Sequence, residues 1–284
     1  MYEKPFMHTT SCAEAVNIKE TREIHYFASE YPNQYIGCTT ISRKELKLDV
    51  LAIGAHPDDI ELACGGTVIK LVKQGRNVGI VDMTEGELGT RGTREIRAQE
   101  ANEATQHLGV QVRESLCIPD GNIENSAENR LRLIRVIRKY RPEVLLLPFH
   151  ADRHPDHANA HVLCREAWFF SGLEKIETLD FNIRQEPYRP RDYYCYMQWF
   201  EFVPSFIVDI SGEYEQRMDA VRSFKSQFHN PSSAERETVL SSPEFMEMLR
   251  TRFEYYGDRI GKKYGEPFFS PSYIAVKDLY SLGS

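Results

Sequence analysis

The stretch Leu48-Asp49-Val50-Leu51-Ala52-Ile53-Gly54-Ala55-His56-Pro57-Asp58-Asp59-Ile60-Glu61 decides the fold that we expect for this chain. Its apolar first half predicts a buried strand that ends at a glycine, and residues 60–73 predict the helix that follows. The polar half lies at the carboxyl end of the strand, where open α/β sheets place their active sites. It brings one imidazole and three carboxylates into six positions, a pattern typical of a metal site.

Strand-like and helix-like segments alternate along the rest of the chain. Strands are predicted at residues 48–53, 77–83, 112–118, 143–148, 192–202 and 205–210, and helices at residues 60–74, 93–108, 128–140, 158–170 and 212–228. Gly75 and Gly109 follow two of these helices, as helix stops commonly do. This alternation favours a parallel sheet. We therefore expect an α/β fold, a Rossmann-like three-layer sandwich with a mostly parallel sheet and helices on both faces.

The composition indicates an ordinary globular protein. The chain has 284 residues, of which 41% are hydrophobic and 27% are charged. We expect one domain over residues 46–284. Residues 1–45 are polar and lack an apolar period, which predicts an extension that is poorly ordered or peripherally packed; a misassigned start is the alternative.

Charge and hydropathy exclude several partners. The net charge of −7 argues against nucleic acid or an anionic membrane as the main partner. No apolar run approaches the roughly 18 residues of a spanning helix, and the N-terminus lacks the apolar core of a signal peptide. We therefore expect a cytoplasmic protein with no membrane span. The six cysteines form no C-x-x-C pair, which predicts free thiols rather than a zinc knuckle or a disulfide framework.

A second polar cluster follows another predicted strand. It reads Phe149-His150-Ala151-Asp152-Arg153-His154-Pro155-Asp156-His157, with His161 shortly after it. A parallel sheet would bring this cluster beside His56 and Asp59 at one edge. Zinc in hydrolytic sites takes three ligands from histidine and carboxylate and leaves a position for water. The two clusters therefore predict one metal site, against the alternative that each histidine is a surface or capping residue.

These motifs resemble those of the PIG-L-like (LmbE-type) zinc-dependent de-N-acetylases. The resemblance is carried by His56-Pro57-Asp58-Asp59-x-Glu61, by Gly65-Gly66-Thr67 and by His154-Pro155-Asp156-His157. It extends from about residue 46 to at least residue 227. Two further runs are similar to the branch that makes bacillithiol, in which N-acetylglucosaminyl-malate is deacetylated: Glu85-Gly86-Glu87-Leu88-Gly89-Thr90-Arg91-Gly92-Thr93 and Ser223-Phe224-Lys225-Ser226-Gln227.

The resemblance implies a role for each residue of the first motif and for the last residue of the second. His56, Asp59 and His157 would bind Zn²⁺, although a His-Asp-His site also suits Fe²⁺, Co²⁺ or Mn²⁺. Asp58 would be the general base. The chemistry agrees, because cleavage of an acetamide requires a water made nucleophilic near neutral pH and an acceptor for its proton. Glu61 is predicted to support the ligands from behind, or else to complement the dipole of the helix that it begins.

The remaining residues of the second motif are assigned to the oxyanion and the leaving group. We expect His154 to stabilise the oxyanion or to act as the acid for the leaving amine, with Asp156 holding its ring and favouring the imidazolium. Tyr194 or Tyr196 could reach the oxyanion, but packing is the favoured interpretation of both. Structural roles are also favoured for His107, His150 and His161. At Gly65-Gly66, close packing is the favoured interpretation.

Arginines near the same edge bear on the substrate. A malate aglycone brings two carboxylates, which guanidinium groups bind in bidentate fashion. Arg97 is the first candidate, and the others are Arg91, Arg94 and Arg153. For Arg94 and Arg97 the alternative is a solvated helix face that pairs with Glu100 or its neighbours.

Together with the metal-site pattern, the resemblance implies a zinc hydrolase that removes the N-acetyl group from a small N-acetylglucosaminyl substrate, with N-acetylglucosaminyl-malate as the first choice. A deacetylase or amidase of another amino sugar or thiol conjugate is the alternative. More distant alternatives are a metal-dependent phosphoesterase, which would need ligands for two metals, and a non-catalytic sugar-binding protein. The resemblance also implies a homo-oligomer, for which a hexamer is one form.

Overall fold

The computed structural model describes residues 16–17, 46–229 and 234–279. In these residues the strands are β1 (Val16–Asn17), β2 (Val50–Gly54), β3 (Val78–Asp82), β4 (Val112–Ser115), β5 (Val144–Pro148), β6 (Leu179–Asp180), β7 (Ile183–Arg184), β8 (Asp192–Tyr196), β9 (Phe206–Asp209) and β10 (Gly265–Phe269). The helices are α1 (Asp59–Ala63), α2 (Gly65–Lys73), α3 (Arg94–Leu108), α4 (Ala127–Tyr140), α5 (Pro155–Phe170), α6 (Tyr214–Arg222) and α7 (Phe245–Asp258).

The main sheet has the strand order β1-β4-β3-β2-β5-β8-β10-β9. Its five central strands, from β4 to β8, are parallel, whereas β1 and β10 run antiparallel to their neighbours. Strands β6 and β7 form a separate hairpin. The α/β fold with a mostly parallel sheet is therefore confirmed.

Helices cover both faces of the sheet because the side chains of the central strand alternate between two cores. Val50 and Ala52 of β2 pack in a cluster that includes residues of α1, α2, α3, α6 and α7. Leu51 and Ile53 point the other way, into a cluster that includes residues of α4 and α5. All of β2 is buried, which explains why its sequence is apolar at consecutive positions.

The chain changes direction across the sheet at β2. From β2 it proceeds through β3 to β4 on one side, and it then returns to place β5 on the other side of β2. In open α/β sheets, ligands bind beyond the carboxyl ends of the strands at such a switch point. The loops that follow β2 and β5 are the two polar clusters of the sequence.

Several predicted elements differ from those in the structure. The strand predicted over residues 192–202 ends at Tyr196, and the helix predicted over residues 212–228 ends at Arg222. The helix predicted over residues 60–74 is broken at Cys64 into α1 and α2. A Cβ atom on Gly66 would lie 2.9 Å from side-chain atoms of Ile210, which supports the close-packing interpretation of this glycine. The helix predicted from residue 158 begins earlier, at Pro155, because His154 caps it.

Residues 234–279, for which no helix or strand was predicted, contribute α7 and a strand inside the main sheet. That strand, β10, pairs with both β8 and β9. Its fully buried Glu266 accepts hydrogen bonds from the backbone N–H groups of Gly66 and Thr67, at 2.9 and 2.7 Å. These are free N–H groups in the first turn of α2, so the carboxylate acts as an N-terminal cap supplied by a distant strand.

Several predictions concern the ends and the cysteines. The boundary at residue 46 and the state of residues 1–45 stay predictions, since only residues 16–17 of that segment are described. Cys64, Cys164 and Cys195 are buried free thiols as expected, but Cys117 is disulfide-bonded, so the prediction is wrong for that residue. Within the described ranges, no helix combines the length and the apolar character needed to cross a membrane.

Candidate metal centre

Two loops at neighbouring strand ends form the site. Strands β2 and β5 pair in parallel from Val50 and Val144, so their carboxyl ends lie side by side. The ring centroid of His56 lies 4.8 Å from that of His154 and 5.4 Å from that of His157. The two polar clusters are therefore brought together as the sequence predicted.

His157 is held through one ring nitrogen and exposes the other to Asp59. Its Nδ1 lies 2.8 Å from Oδ1 of Asp152, and its Nε2 lies 3.3 Å from Oδ1 of Asp59. An ionised carboxylate accepts hydrogen bonds and donates none. The contact with Asp152 therefore requires a proton on Nδ1 of His157. Nε2 is then available as a metal ligand.

His56 is held in the same way with its nitrogens exchanged. Its Nε2 lies 3.2 Å from Oδ1 of Asp120 and 3.4 Å from Oδ2 of Asp156, whereas its Nδ1 lies 3.8 Å from Oδ2 of Asp59. Asp59 uses that Oδ2 to accept the backbone N–H groups of Ala55 and His56, at 2.8 and 2.9 Å. Its Oδ1 therefore remains available for a cation.

The donor set fits a divalent metal. His56 and His157 each turn one ring nitrogen toward Asp59, and histidine with carboxylate is a combination that zinc and related metals bind. In the described residues, two groups of three side chains place possible ligand atoms within 4.8 Å of one another: His56–His154–His157 and His56–Asp120–Asp156. The second group consists of Nε2 of His56 and the two carboxylates, from Asp120 and Asp156, that lie beside it. Neither group includes Asp59, so the ligand set of His56, Asp59 and His157 stays a prediction, which the contacts of Asp59 with both imidazoles support.

Nearby carboxylates raise the pKa values of both His56 and His157. Burial alone would lower the pKa of His56, but Asp120, Asp156 and Asp59 raise it to about 10. Burial also opposes a rise at His157, yet its hydrogen-bonded carboxylates raise the pKa to about 9. Protons and a metal compete for the same nitrogens, so a cation that binds here displaces protons from a site built for positive charge.

Asp58 stands apart from this cluster in a strained conformation. Its φ is 114°, a region that residues other than glycine rarely adopt and that clusters at functional sites. Burial raises its pKa to about 7, although the nearby Arg97 cation lowers it. A carboxylate that titrates near neutral pH is suited to general-base catalysis.

Arg97 contacts the predicted base rather than open solvent. One terminal nitrogen, Nη2, lies 3.3 Å from Oδ2 of Asp58 and also donates to the carbonyl oxygen of Pro57, while Nη1 donates to Oε1 of Gln227 at 3.3 Å. Gly86 has a φ of +67° and lies against the guanidinium, where a Cβ atom would come within 2.7 Å. Arg97 therefore braces Asp58 directly, and its role toward a substrate carboxylate stays a prediction.

The other three candidate arginines lie in different surroundings. Arg91 is buried, with Nε 3.5 Å from Oε2 of Glu235, and within the described residues its Nε and one terminal nitrogen form no hydrogen bond. Arg94 is exposed and ion-paired with Glu85. Arg153 is exposed and lies over the ring of Trp199, with its guanidinium carbon 4.3 Å from the ring centroid.

Asp156 contacts a different imidazole from the one predicted. Its carboxylate accepts the backbone N–H of Gly121 at 2.8 Å and lies beside His56, while only its backbone N–H reaches Nδ1 of His154, at 3.2 Å. Burial and the His56 and His157 cations lower the pKa of His154, so the imidazolium is not favoured here. A neutral His154 that accepts at Nδ1 carries its proton on Nε2, where it can donate.

Glu61 belongs to a buried ion-pair network, and its role in supporting the ligands stays a prediction. It is fully buried and accepts a hydrogen bond from Nη1 of Arg113 at 2.6 Å; the same arginine also binds Asp82 through Nε at 2.6 Å and Nη2 at 3.0 Å. This network joins α1, which begins at Asp59, to β3 and β4. Tyr196 is structural as expected, because its hydroxyl donates to the carbonyl oxygen of Ile53 at 2.8 Å.

Sequence reasoning missed four residues that contact the predicted ligands or Arg97. Asp152 and Asp120 orient the two imidazoles, Gln227 binds Arg97, and Gln198 places its amide nitrogen 3.4 Å from Nε2 of His157. A signal existed for Asp120, since Pro119-Asp120-Gly121 is a turn sequence after a predicted strand, as the ligand clusters are.

The chain has relatives among known proteins. Residues 51–168 match the family model for GlcNAc-PI de-N-acetylase, PIG-L. The chain is 33% identical over 227 residues to the diacetylchitobiose deacetylase of Thermococcus kodakarensis, an alignment that covers 76% of this chain and 80% of that protein.

Solved structures agree with this match. The conserved protein TT1542 from Thermus thermophilus is similar with a TM-score of 0.72 and 37% identity, over 81% of this chain and 98% of that one. The N,N'-diacetylchitobiose deacetylase from Pyrococcus horikoshii is similar with a TM-score of 0.65 and 30% identity, over 77% and 82% of the two chains. The chain therefore belongs to the PIG-L family of de-N-acetylases.

Proposed function

We propose that this protein is a zinc-dependent hydrolase that removes the N-acetyl group from a substrate containing N-acetylglucosamine. One observation carries the proposal: each of two imidazoles is held by a carboxylate through one nitrogen and turns the other toward Asp59, next to the buried Asp58. The names of the relatives support the same chemistry, because they are deacetylases of diacetylchitobiose. Fe²⁺, Co²⁺ and Mn²⁺ are the alternatives to Zn²⁺.

Zinc, when bound, lowers the pKa of water toward about 7 and polarises the acetamide carbonyl. His56, Asp59 and His157 would hold it. Asp58 takes the proton of the attacking water, which its pKa of about 7 permits near neutral pH. His154, whose Nδ1 is occupied by the backbone N–H of Asp156, donates a hydrogen bond from Nε2 to the developing oxyanion and keeps its proton. The proton that Asp58 has taken from the water then passes to the leaving amine.

The finer part of the proposal concerns the aglycone, for which we propose a dicarboxylate such as malate. Arg91 supports this choice, because it is only 4% exposed and has two guanidinium nitrogens without a hydrogen-bond partner among the described residues. Its carbonyl oxygen accepts the side-chain amide of Gln227 at 2.7 Å, and the same glutamine binds Arg97. Arg91 thus belongs to the network that contacts Asp58. A substrate carboxylate would accept hydrogen bonds from its guanidinium, for which Glu235 supplies an ion pair at 3.5 Å from Nε but no hydrogen bond.

The test is a substrate comparison with purified zinc-loaded protein. Acetate release is measured from N-acetylglucosaminyl-malate, from diacetylchitobiose and from a thiol conjugate of an N-acetylated amino sugar. We expect the malate glycoside to have the highest kcat/KM. Arg91→Met should lower that value by about 10-fold or more, the worth of a charged hydrogen bond, with little change for uncharged diacetylchitobiose.

The outcomes separate the parts of the proposal. Faster turnover of diacetylchitobiose, with equal effects of Arg91→Met on both substrates, would contradict the acidic aglycone and leave the deacetylase. Sugar binding without acetate release would favour the non-catalytic alternative, and two metals per chain would favour the phosphoesterase. A homo-oligomer and a cytoplasmic location stay predictions, which light scattering and cell fractionation would test.

A further inference from the structure

We propose that Asp152 is a positioning residue that fixes the ring of His157 for the metal and ties it to the loop at residues 197–200. This inference rests on the proposed function, since it concerns the same metal site. Asp152 was not among the predicted site residues, although it lies within the second polar cluster of the sequence.

The carboxylate of Asp152 joins three parts of the site. Its Oδ1 lies 2.8 Å from Nδ1 of His157 and accepts the backbone N–H of His154 at 3.1 Å. Its Oδ2 accepts the backbone N–H of Trp199 at 2.8 Å. The side chain of Asp152 is only 4% exposed, so these protein donors, rather than water, satisfy its carboxylate. One buried carboxylate therefore binds a predicted ligand, the predicted oxyanion donor and a separate loop.

Only an acceptor at both oxygens satisfies these donors. An ionised carboxylate accepts and never donates, so it requires the proton on Nδ1 of His157 and leaves Nε2 toward Asp59. An asparagine has one oxygen and one NH₂ group. If its oxygen faced the imidazole, the NH₂ would oppose the N–H of Trp199; if it were reversed, the NH₂ would favour the ring form with its proton on the metal-facing nitrogen.

The loop that Asp152 holds borders the same ring. Gln198, which directly precedes Trp199, places its Nε2 3.4 Å from Nε2 of His157. Arg153 lies over the ring of Trp199, with its guanidinium carbon 4.3 Å from the centroid. Loss of the contacts of Asp152 would therefore disturb both the ring of His157 and the loop at residues 197–200 beside it.

The other imidazole provides a matched control. Nε2 of His56 has two carboxylates within 3.4 Å, from Asp120 and Asp156. Nδ1 of His157 has only Asp152 within the described residues. Replacement of Asp120 leaves a second carboxylate to orient His56, whereas replacement of Asp152 leaves His157 without one. The two Asp→Asn variants should therefore differ in metal affinity.

The experiment measures zinc affinity rather than turnover. Metal-stripped wild type, Asp152→Asn and Asp120→Asn are titrated with Zn²⁺ in competition with a chromophoric chelator, and circular dichroism checks their folding. We expect Asp152→Asn to raise the dissociation constant by about 10–100-fold, the usual effect of removing such a partner, and Asp120→Asn to raise it less. Zinc-saturated Asp152→Asn should also show a raised KM, because the loop at residues 197–200 is released.

Wild-type zinc affinity in folded Asp152→Asn would overturn the proposal, as would a larger effect of Asp120→Asn. If Asp152→Asn does not fold, Asp152→Ser replaces it, since a smaller side chain lets water reach the donors. Failure of both to fold would also overturn the proposal, because Asp152 would then serve the fold. A wild type that binds zinc but releases no acetate would contradict the proposed function and leave this titration valid.

Discussion

Asp58→Asn is expected to lower kcat/KM for deacetylation by about 10²–10⁴-fold while the protein keeps its zinc. The loss follows from the removal of the group that accepts the proton of the attacking water. Asparagine is the right replacement because Asp58 has a φ of 114°, and asparagine tolerates positive φ better than alanine does. The amide also preserves an oxygen for the guanidinium of Arg97, which lies 3.3 Å away.

The neighbouring residue supplies the control for this variant. Asp59→Asn removes the charge of a predicted ligand, so it should lose both zinc and activity. The measurement pairs zinc content by elemental analysis with acetate release for each variant. An Asp58→Asn protein within about threefold of wild type would show that Asp58 is not the base, since a general base contributes far more than that. Zinc loss in Asp58→Asn would instead make Asp58 a ligand.

Arg113→Met is expected to lower the free energy of unfolding by about 3–5 kcal/mol, the usual cost of removing one partner of a buried ion pair. Arg113 binds Glu61 and Asp82, whose side chains are 0% and 6% exposed. Methionine fills a similar volume but leaves both carboxylates without a cation. The effect is large because the remaining charges cannot reach water.

Urea unfolding, followed by tryptophan fluorescence, checks this prediction. Arg250→Met is the control, because Arg250 forms ion pairs with Glu247 and Glu254 on the exposed face of α7. Surface pairs of this kind contribute little, so its unfolding midpoint should stay at the wild-type value. Equal midpoints for the two variants would contradict the role that we assign to the buried network. Arg113→Met should also weaken zinc binding, since α1 begins at Asp59.

The sequence predicted the central strands and the two ligand loops because their signals are local. Strand β2 is apolar at consecutive positions, since both of its faces are covered, and its polar loop follows without interruption. The same holds for β5 and the loop that begins at Phe149. Since parallel strands end at one edge, the meeting of His56 with His157 needed no further information.

The parts that the sequence did not predict depend on distant residues. The break between α1 and α2 at Cys64 goes with a cap from Glu266, which lies 200 positions after Gly66 in the chain. Strand β10 escaped prediction because it carries this buried glutamate and a proline, Pro267, within five residues. In the sequence alone, Glu266 indicates a loop, because the buried N–H groups of Gly66 and Thr67 that it binds are far away in the chain.

Partner choice within the site was also beyond sequence reasoning. Asp156 was expected to hold His154, its near neighbour in the chain, but its carboxylate lies beside His56 from the other loop. Arg97 was expected at a substrate carboxylate; it contacts Asp58, which spacing did not indicate, and its role toward the substrate stays a prediction. Spacing along the chain indicated which residues gather at the edge. It did not indicate which oxygen meets which nitrogen.

The most direct test of the account is acetate release from N-acetylglucosaminyl-malate and diacetylchitobiose by chelator-stripped protein, before and after stepwise addition of Zn²⁺. We predict that stripping abolishes release and that activity returns in proportion to zinc, with saturation at about one ion per chain, as a three-ligand catalytic site requires. Acetate release that persists in fully stripped protein would contradict the account.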